Sequence, residues 1–295
     1  MRERLTSLIV MNKLTDSKRA EIIRALCEGN SVRATTRLTG AAKATVLKLL
    51  VEVGEFCSGY QDVAIRNLKT TRVEADEIWA FVGAKQKNAT QPGQGDCWTY
   101  TAVDADSKLM ISWLVGSRNS ANTHAFMVDI AERLGNRVQL TTDGLGWYVA
   151  AVENAFGWNG VDFAQIIKTY GATLEQGPSR KYSPMECTGA VKTKIMGNPN
   201  PEKVSTAYVE RTNLSLRMGM RRFTRLTNGF SRKAENHAHA VSLFFMYYNF
   251  CKPHGTLTKA AKGIKRTPAM VAGITDHAWS VEEILAKMDP NFPLR

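Results

Sequence analysis

The sequence predicts a mixed α/β chain led by a small all-α segment. Three observations carry this. Before residue 54 the apolar residues recur at helical spacing, punctuated by Gly29 and by Thr39-Gly40. From Thr71 to Tyr170, short β-rich runs alternate with helical ones. The charge is also segregated. Residues 1–72 carry net +6, 73–179 net −5, 180–270 net +13 and 271–295 net −2, giving +12 over 295 residues.

The composition, 44% hydrophobic and 22% charged, is that of a globular chain and excludes a disordered or collagen-like one. Basic blocks attract polyanions through phosphate contacts and counterion release. An acidic block between two basic ones suits carboxylates that hold a metal facing a phosphate. No run of eighteen apolar residues exists, so a transmembrane helix is not expected. The apolar stretch after Met1-Arg-Glu-Arg-Leu5 is too short for a signal peptide. The five cysteines (27, 57, 97, 187 and 251) are scattered and form no C-x-x-C. Neither a disulfide framework nor a cysteine zinc site is expected, and a cytoplasmic location fits.

The N-terminal block reads as a helix-turn-helix. A first helix follows Leu14 and stops at Gly29. Ser31 caps a second over Val32–Leu38, Thr39-Gly40 turns the chain, and a third runs from about Ala42 to Val53. The third would turn Val46, Leu47, Leu50 and Val53 inward and offer Lys43, Thr45 and Lys48 to a DNA major groove. Ala41-Ala42 precedes it, where a Ser or Asp cap would be expected. The alternative is a plain three-helix bundle. Residues 54–70 read as a linker or an extra helix.

The central block predicts strands over Thr71–Gly83, Cys97–Val103 and Leu109–Val115. A helix over Asn122–Leu134, a strand over Val138–Asp143, a helix over Trp147–Phe156 and a strand over Phe163–Tyr170 follow. Three antiparallel strands, then helix, strand, helix, strand, is the order of an RNase H-like (integrase-type) α/β core. The expected layout is a helix-turn-helix domain over 1–56, a linker over 57–70, the catalytic core over 71–250, and a basic C-terminal arm with short helices over 251–295.

Three carboxylates stand out. Asp76 lies in the first strand, Asp143 ends the fourth, and Glu210 sits in the helix expected over Ser205–Arg217. In this order the first and fourth strands are neighbours, so the aspartates converge and the helix brings in the glutamate. Converging carboxylates raise each other's pKa, and a pair of Mg²⁺ ions is the usual remedy. Two such ions activate a hydroxyl and stabilise a leaving oxygen. Glu77 should face away from Asp76 by strand alternation, whereas Glu74 shares its face as a weaker rival.

The string Glu74-Ala-Asp-Glu-Ile-Trp-Ala-Phe-Val-Gly-Ala-Lys85 resembles the first catalytic strand of DDE-type insertion-sequence transposases, closest to the insertion sequence 1 family. Thr142-Asp-Gly-Leu-Gly-Trp-Tyr148 resembles their second acidic motif, and Val209-Glu-Arg-Thr-Asn-Leu-Ser-Leu-Arg217 their third. Tyr247–Leu257 and Thr267–Met270 are similar to the tail of many such enzymes and of integrases. The resemblance spans roughly residues 10–285. It implies a DNA transposase with Asp76, Asp143 and Glu210 as catalytic metal ligands and Mg²⁺ as cofactor, with Mn²⁺ able to substitute. It also implies double-stranded DNA as partner, at element ends and target, and action as a homo-oligomer. Family members often carry a cysteine zinc ribbon near the N-terminus; this chain has none. The rival readings are a structure-selective nuclease or resolvase on the same fold, and a helix-turn-helix regulator with an inactive core.

Other polar residues take plainer readings. Asp104 and Asp106 are turn formers. His237 and His239, two apart, do not face each other on a helix. Asn213 and Arg217 share the Glu210 ridge and would place the DNA end. Arg221, Arg222, Arg225, Arg232 and Lys233 would contact phosphates beside the site. Lys252, Lys259, Lys262, Lys265 and Arg266 would do so along a flexible arm. The stripe Val241, Phe244, Phe245 and Tyr248 reads as core.

Overall fold

The computed structural model describes residues 14–171, 187–224 and 227–289. Three helices lead the chain: α1 (Asp16–Cys27), α2 (Val32–Thr39) and α3 (Lys43–Ala64). Thr15 and Ser31 cap the first two through their hydroxyls. Gly40, at φ 70°, ends α2 in the left-handed conformation that favours glycine. Ala42 gives α3 no side-chain cap, as its sequence anticipates. The third helix does not end near Val53 but continues to Ala64, over much of the stretch that reads as a linker or an extra helix. Its buried side includes Val46, Leu49, Leu50, Val53, Cys57 and Gln61.

The sheet is mixed and six-stranded, in the order β3-β2-β1-β4-β5-β6. Its strands are β1 (Arg72–Val82), β2 (Gly95–Asp104), β3 (Met110–Gly116), β4 (Val138–Asp143), β5 (Val161–Tyr170) and β6 (Cys187–Met196). β1, β2 and β3 pair antiparallel, β4 lies parallel to both β1 and β5, and β6 returns antiparallel to β5. This arrangement is compatible with an RNase H-like fold. β6 is not anticipated by the sequence. It is an edge strand, exposed along most of its length, in which Val191, Thr193 and Ile195 alternate with Lys192 and Lys194 over only five residues.

Helices cover both faces. Tyr100 on β2 meets Phe126 of α4 (Ser120–Arg133), which packs with α5 (Trp147–Phe156). Thr101, on the opposite face, bonds α6 (Ala207–Gly219), and Trp113 of β3 meets Phe245 of α7 (Ala234–Met246). The last turn of α7 widens into a π-helical turn over Tyr247–Cys251. Three short helices follow: α8 (Gly255–Ala260), α9 (Pro268–Val271) and α10 (Val281–Lys287). The expectation of a flexible arm needs correction. Buried Trp279 packs on Tyr60 of α3 and on Phe250, and α10 rests against α1, because the arm carries its own apolar residues.

The α3–α7 contact is unusually close. A Cβ placed on Gly54 would lie 2.4 Å from the Cβ and 2.7 Å from the Cα of His239. Gly54, which the sequence suggests as a break, thus serves a close helix approach. Alanine would gain roughly 1 kcal/mol of helix propensity there. Overpacking against backbone costs about 1–3 kcal/mol or more. Because the approach is as close as 2.4 Å, the upper end applies, and Gly54→Ala should lose up to about 2 kcal/mol net. A urea midpoint at or above the parent's would contradict this packing.

Candidate metal centre

Register decides which face each carboxylate takes. Asp76 stands opposite Thr101 and Glu74 opposite Val103, on the α6 side. Glu77 stands opposite Tyr100, on the α4–α5 side. β1 pairs with β4 only over Arg72–Ala75 against Gln139–Thr142. Beyond that point no strand pairs with this edge of β1 until Val82 bridges Ser231, and Asp143, the last residue of β4, sits beside the free stretch. Side chains from both faces of β1 reach this edge. One carboxylate oxygen each from Asp76, Glu77 and Asp143 lies within 4.8 Å of the others. The exclusion of Glu77 on alternation alone is therefore corrected: faces separate along a paired strand, but they meet where the neighbouring strand stops.

The cluster is electrostatically loaded. Burial, and then the nearby charges of Asp143 and Glu210, push the Asp76 carboxyl up to about 6. Burial and Asp143 push Glu77 up to about 7. The Arg118 guanidinium offsets part of this, lying 3.2 Å from Glu77 and 3.7 Å from Asp143. Arg118 also lies over the Trp98 ring. The Asp143 Oδ1 accepts from the Leu145 amide at 3.1 Å, which fixes the turn after β4. Glu77 Oε1 is buried, and the buried Tyr148 hydroxyl beside this carboxylate favours its charged form. Three clustered oxygen donors fit a hard divalent cation.

Glu210 is placed differently from the expectation. It lies in the first turn of α6, exposed, and outside the group of three. Its Oε1 accepts from the Lys168 ammonium on β5 and from the Thr206 hydroxyl at 2.6 Å. A nearby cation and a local hydroxyl thus satisfy it. Glu210 more than offsets the burial of Lys168, whose pKa is raised. Neither Lys168 nor Arg118 stands out in the sequence.

Glu74 has a structural task. Its Oε2 accepts from the amides of Tyr208 (2.7 Å) and Val209 (3.1 Å). Those belong to the first turn of α6, where Thr206 supplies no side-chain cap. A carboxylate there satisfies orphan donors and suits the helix dipole. Glu74→Ala should cost about 1–2 kcal/mol, as for loss of a helix cap, and Glu74→Gln less, since its amide oxygen still accepts. Equal urea midpoints for Glu74→Ala and the parent would refute the cap.

The predicted DNA contacts divide. Asn213 is 5% exposed, and its amide donates to Asp76 at 3.1 Å while accepting from Thr101 at 3.0 Å. It holds Asp76 in place and does not reach outward to a DNA end. Arg217 is half-buried in the last turn of α6. Arg221 is exposed, but Arg222 turns inward and donates to the Ser231 hydroxyl at 2.6 Å. Lys43 and Lys48 are exposed on α3, Lys48 lying 3.9 Å from Glu52, and Thr45 is half-buried. Arg225 lies outside the described residues. Asp104 and Asp106 bond within and beside their turn, to Thr70, Ser107 and Thr71. His237 is fully buried against Ser231.

No family model matches the chain, and no curated protein matches it. Among solved structures, a pre-cleavage Mos1 transpososome aligns at 13% identity over 52% of this chain and 60% of that one, with a TM-score of 0.22. Kluyveromyces polysporus Argonaute with a guide RNA aligns at 9% identity over 63% of this chain and 28% of that one, with a TM-score of 0.24. The chain thus spans less than two thirds of the length of either. Among the described residues, no helix is long and apolar enough to cross a membrane.

Proposed function

We propose that the chain is a divalent-metal-dependent DNA transposase. It would bind the ends of a mobile element, hydrolyse one strand and join the freed 3′-hydroxyl to target DNA. The observation that carries this reading is the meeting of Asp76, Glu77 and Asp143 at the free edge of β1. The net charge of +12 and the motif resemblance support it.

Asp76, Asp143 and Glu77 would hold Mg²⁺, or Mn²⁺ in its place; Glu210 would join a second ion only on leaving Lys168. The ions supply Lewis-acid stabilisation and a lowered pKa for a bound water or hydroxyl. The protein's own contribution is positional. Asn213 orients Asp76, the Leu145 amide orients Asp143, and Glu74 anchors α6 beside them. Arg118 supplies positive charge at the cluster, where phosphate oxygens would enter. The helices of residues 1–56 would read the element end, with Lys43, Thr45 and Lys48 toward the groove and Arg217 and Arg221 toward phosphates, in a homo-oligomer. Residues 71–250 would form the catalytic core.

A plasmid carrying the coding segment with its flanking DNA tests this. Nicks and joined products should appear with Mg²⁺ or Mn²⁺ and vanish with EDTA. Nicks without joining would favour the resolvase reading. Folded, DNA-binding protein that yields neither would reject both.

A further inference from the structure

A cavity of about 600 Å³ opens between the N-terminal helices, the segment after α6, and α7. Its volume is within the ordinary range for a small-molecule site. Its lining includes Arg33, Lys43, Arg221, Arg222 and Arg232, and no acidic residue among the described ones. Its apolar floor includes Leu47, Leu243, Phe230 and Phe244. None of the carboxylates of the metal centre lines it.

Arg222 is the informative residue. It is inward-turned and makes no ion pair with a carboxylate among the described residues. Its hydrogen-bond partner is neutral: Ser231, 2.6 Å away, which in turn meets the ring of buried His237. Burial lowers the Arg222 pKa to about 10, with no acid opposing the shift. It also drives His237 down to about 3, so no second cation forms behind it. A half-buried guanidinium without a counter-charge is a ready partner for an anion. Beside it, half-buried Phe230 and Phe244 offer surface to an aromatic group.

We propose that this cavity binds one nucleotide, its phosphate against Arg222 and Arg232 and its base on the apolar floor. A phosphate alone leaves that floor empty, and an apolar ligand alone leaves Arg222 unanswered. The nucleotide comes either free in solution or extruded from a DNA strand, since unpaired bases are cheap to unstack. The site does not rest on the transposase reading, because a free nucleotide would occupy it in a chain without cleavage activity.

Calorimetric titration of the full chain with dAMP, deoxyadenosine and inorganic phosphate tests it. Binding of dAMP should be at least tenfold tighter than binding of either part. Exposed Arg232→Ala should weaken it severalfold with the fold intact, and Arg222→Met more than tenfold, with helix content checked by circular dichroism. Asp76→Asn should bind as the parent does, which separates this site from the metal centre. A second arm compares a fully paired duplex with one carrying a single-nucleotide bulge. Tighter binding of the bulge, erased by Arg232→Ala, assigns the strand as the source; tight dAMP binding without that preference assigns the free nucleotide. If dAMP binds no better than phosphate and the bulge no better than the paired duplex, the proposal is overturned. It is equally overturned if neither arginine variant changes binding.

Discussion

Replacing Asp76 with Asn should abolish DNA cleavage while making the protein more stable at neutral pH. The catalytic loss should exceed about 100-fold, the upper end of what losing an outer-shell partner of a metal site costs. The gain in stability follows from the raised pKa. The Asp76 carboxyl stands at about 6 in the folded chain against an ordinary value of 3.8. Between those values the folded state binds more protons than the unfolded one, so stability falls as pH rises from about 4 to about 6. Above that window the charge costs about 2 kcal/mol, at roughly 1.4 kcal/mol per pKa unit and with allowance for partial exposure. Asn removes this cost and still accepts the Asn213 hydrogen bond. Urea unfolding in EDTA should show the variant above the parent at pH 7 to 8 and level with it near pH 4. Saturating Mg²⁺ should stabilise the parent, by about 2.7 kcal/mol at a hundred times Kd, and leave the variant nearly unchanged. A variant less stable than the parent at pH 7 in EDTA would show that Asp76 is a structural residue and not an electrostatically costly ligand.

Removing residues 1–64 should prevent the remainder from folding. The sequence suggests a detachable N-terminal unit whose deletion leaves the core intact. The packing argues otherwise. Val46, Leu49, Leu50, Val53 and Cys57 on α3 are buried, and Gly54 brings that helix against His239 of α7. Gln61 donates to the carbonyl of Ser242 and accepts from Asn249, which in turn bonds both backbone groups of Met110 on β3. Each large buried aliphatic side chain contributes about 1.5–3 kcal/mol. Losing five buried residues and their partners' cover amounts to roughly 10 kcal/mol, comparable to the total stability of a domain. The truncated chain should bind a hydrophobic dye and lack a cooperative thermal transition. A sharp transition and native near-ultraviolet dichroism in the fragment would show that the two parts are separable.

Most strands are legible because β-branched runs such as Val138–Thr142 are bounded by turn residues, and strand order follows from the alternation of elements. The convergence of Asp76 with Asp143 follows from that order. Glu77 is not legible, because alternation describes a strand with neighbours on both sides, and β1 outruns β4. Lys168 lies at the outward end of a strand with nothing in its surroundings to mark it. Asn213 reads as surface because ridge spacing gives its direction along the helix but not which element covers that ridge. The extension of α3 is hidden by Gly54 and Ser58-Gly59, whose small side chains suit close packing as well as they suit a break. β6 escapes notice because its alternation, Val191 to Ile195, is short and lies between Gly189 and Gly197.

The pairing of α3 with α7 bears on how the chain is made. Gly54 and His239 are in contact yet lie 185 positions apart in the sequence. During synthesis the apolar side of α3 leaves the ribosome long before its partner exists. At about 5–20 residues per second that interval is roughly 10–40 s. Helix α3 forms far faster than this, so it waits with its apolar stripe uncovered. The nascent chain is therefore a natural client for a holding chaperone, and its yield on expression should depend on chaperone supply and on translation speed more than on the stability of the finished fold.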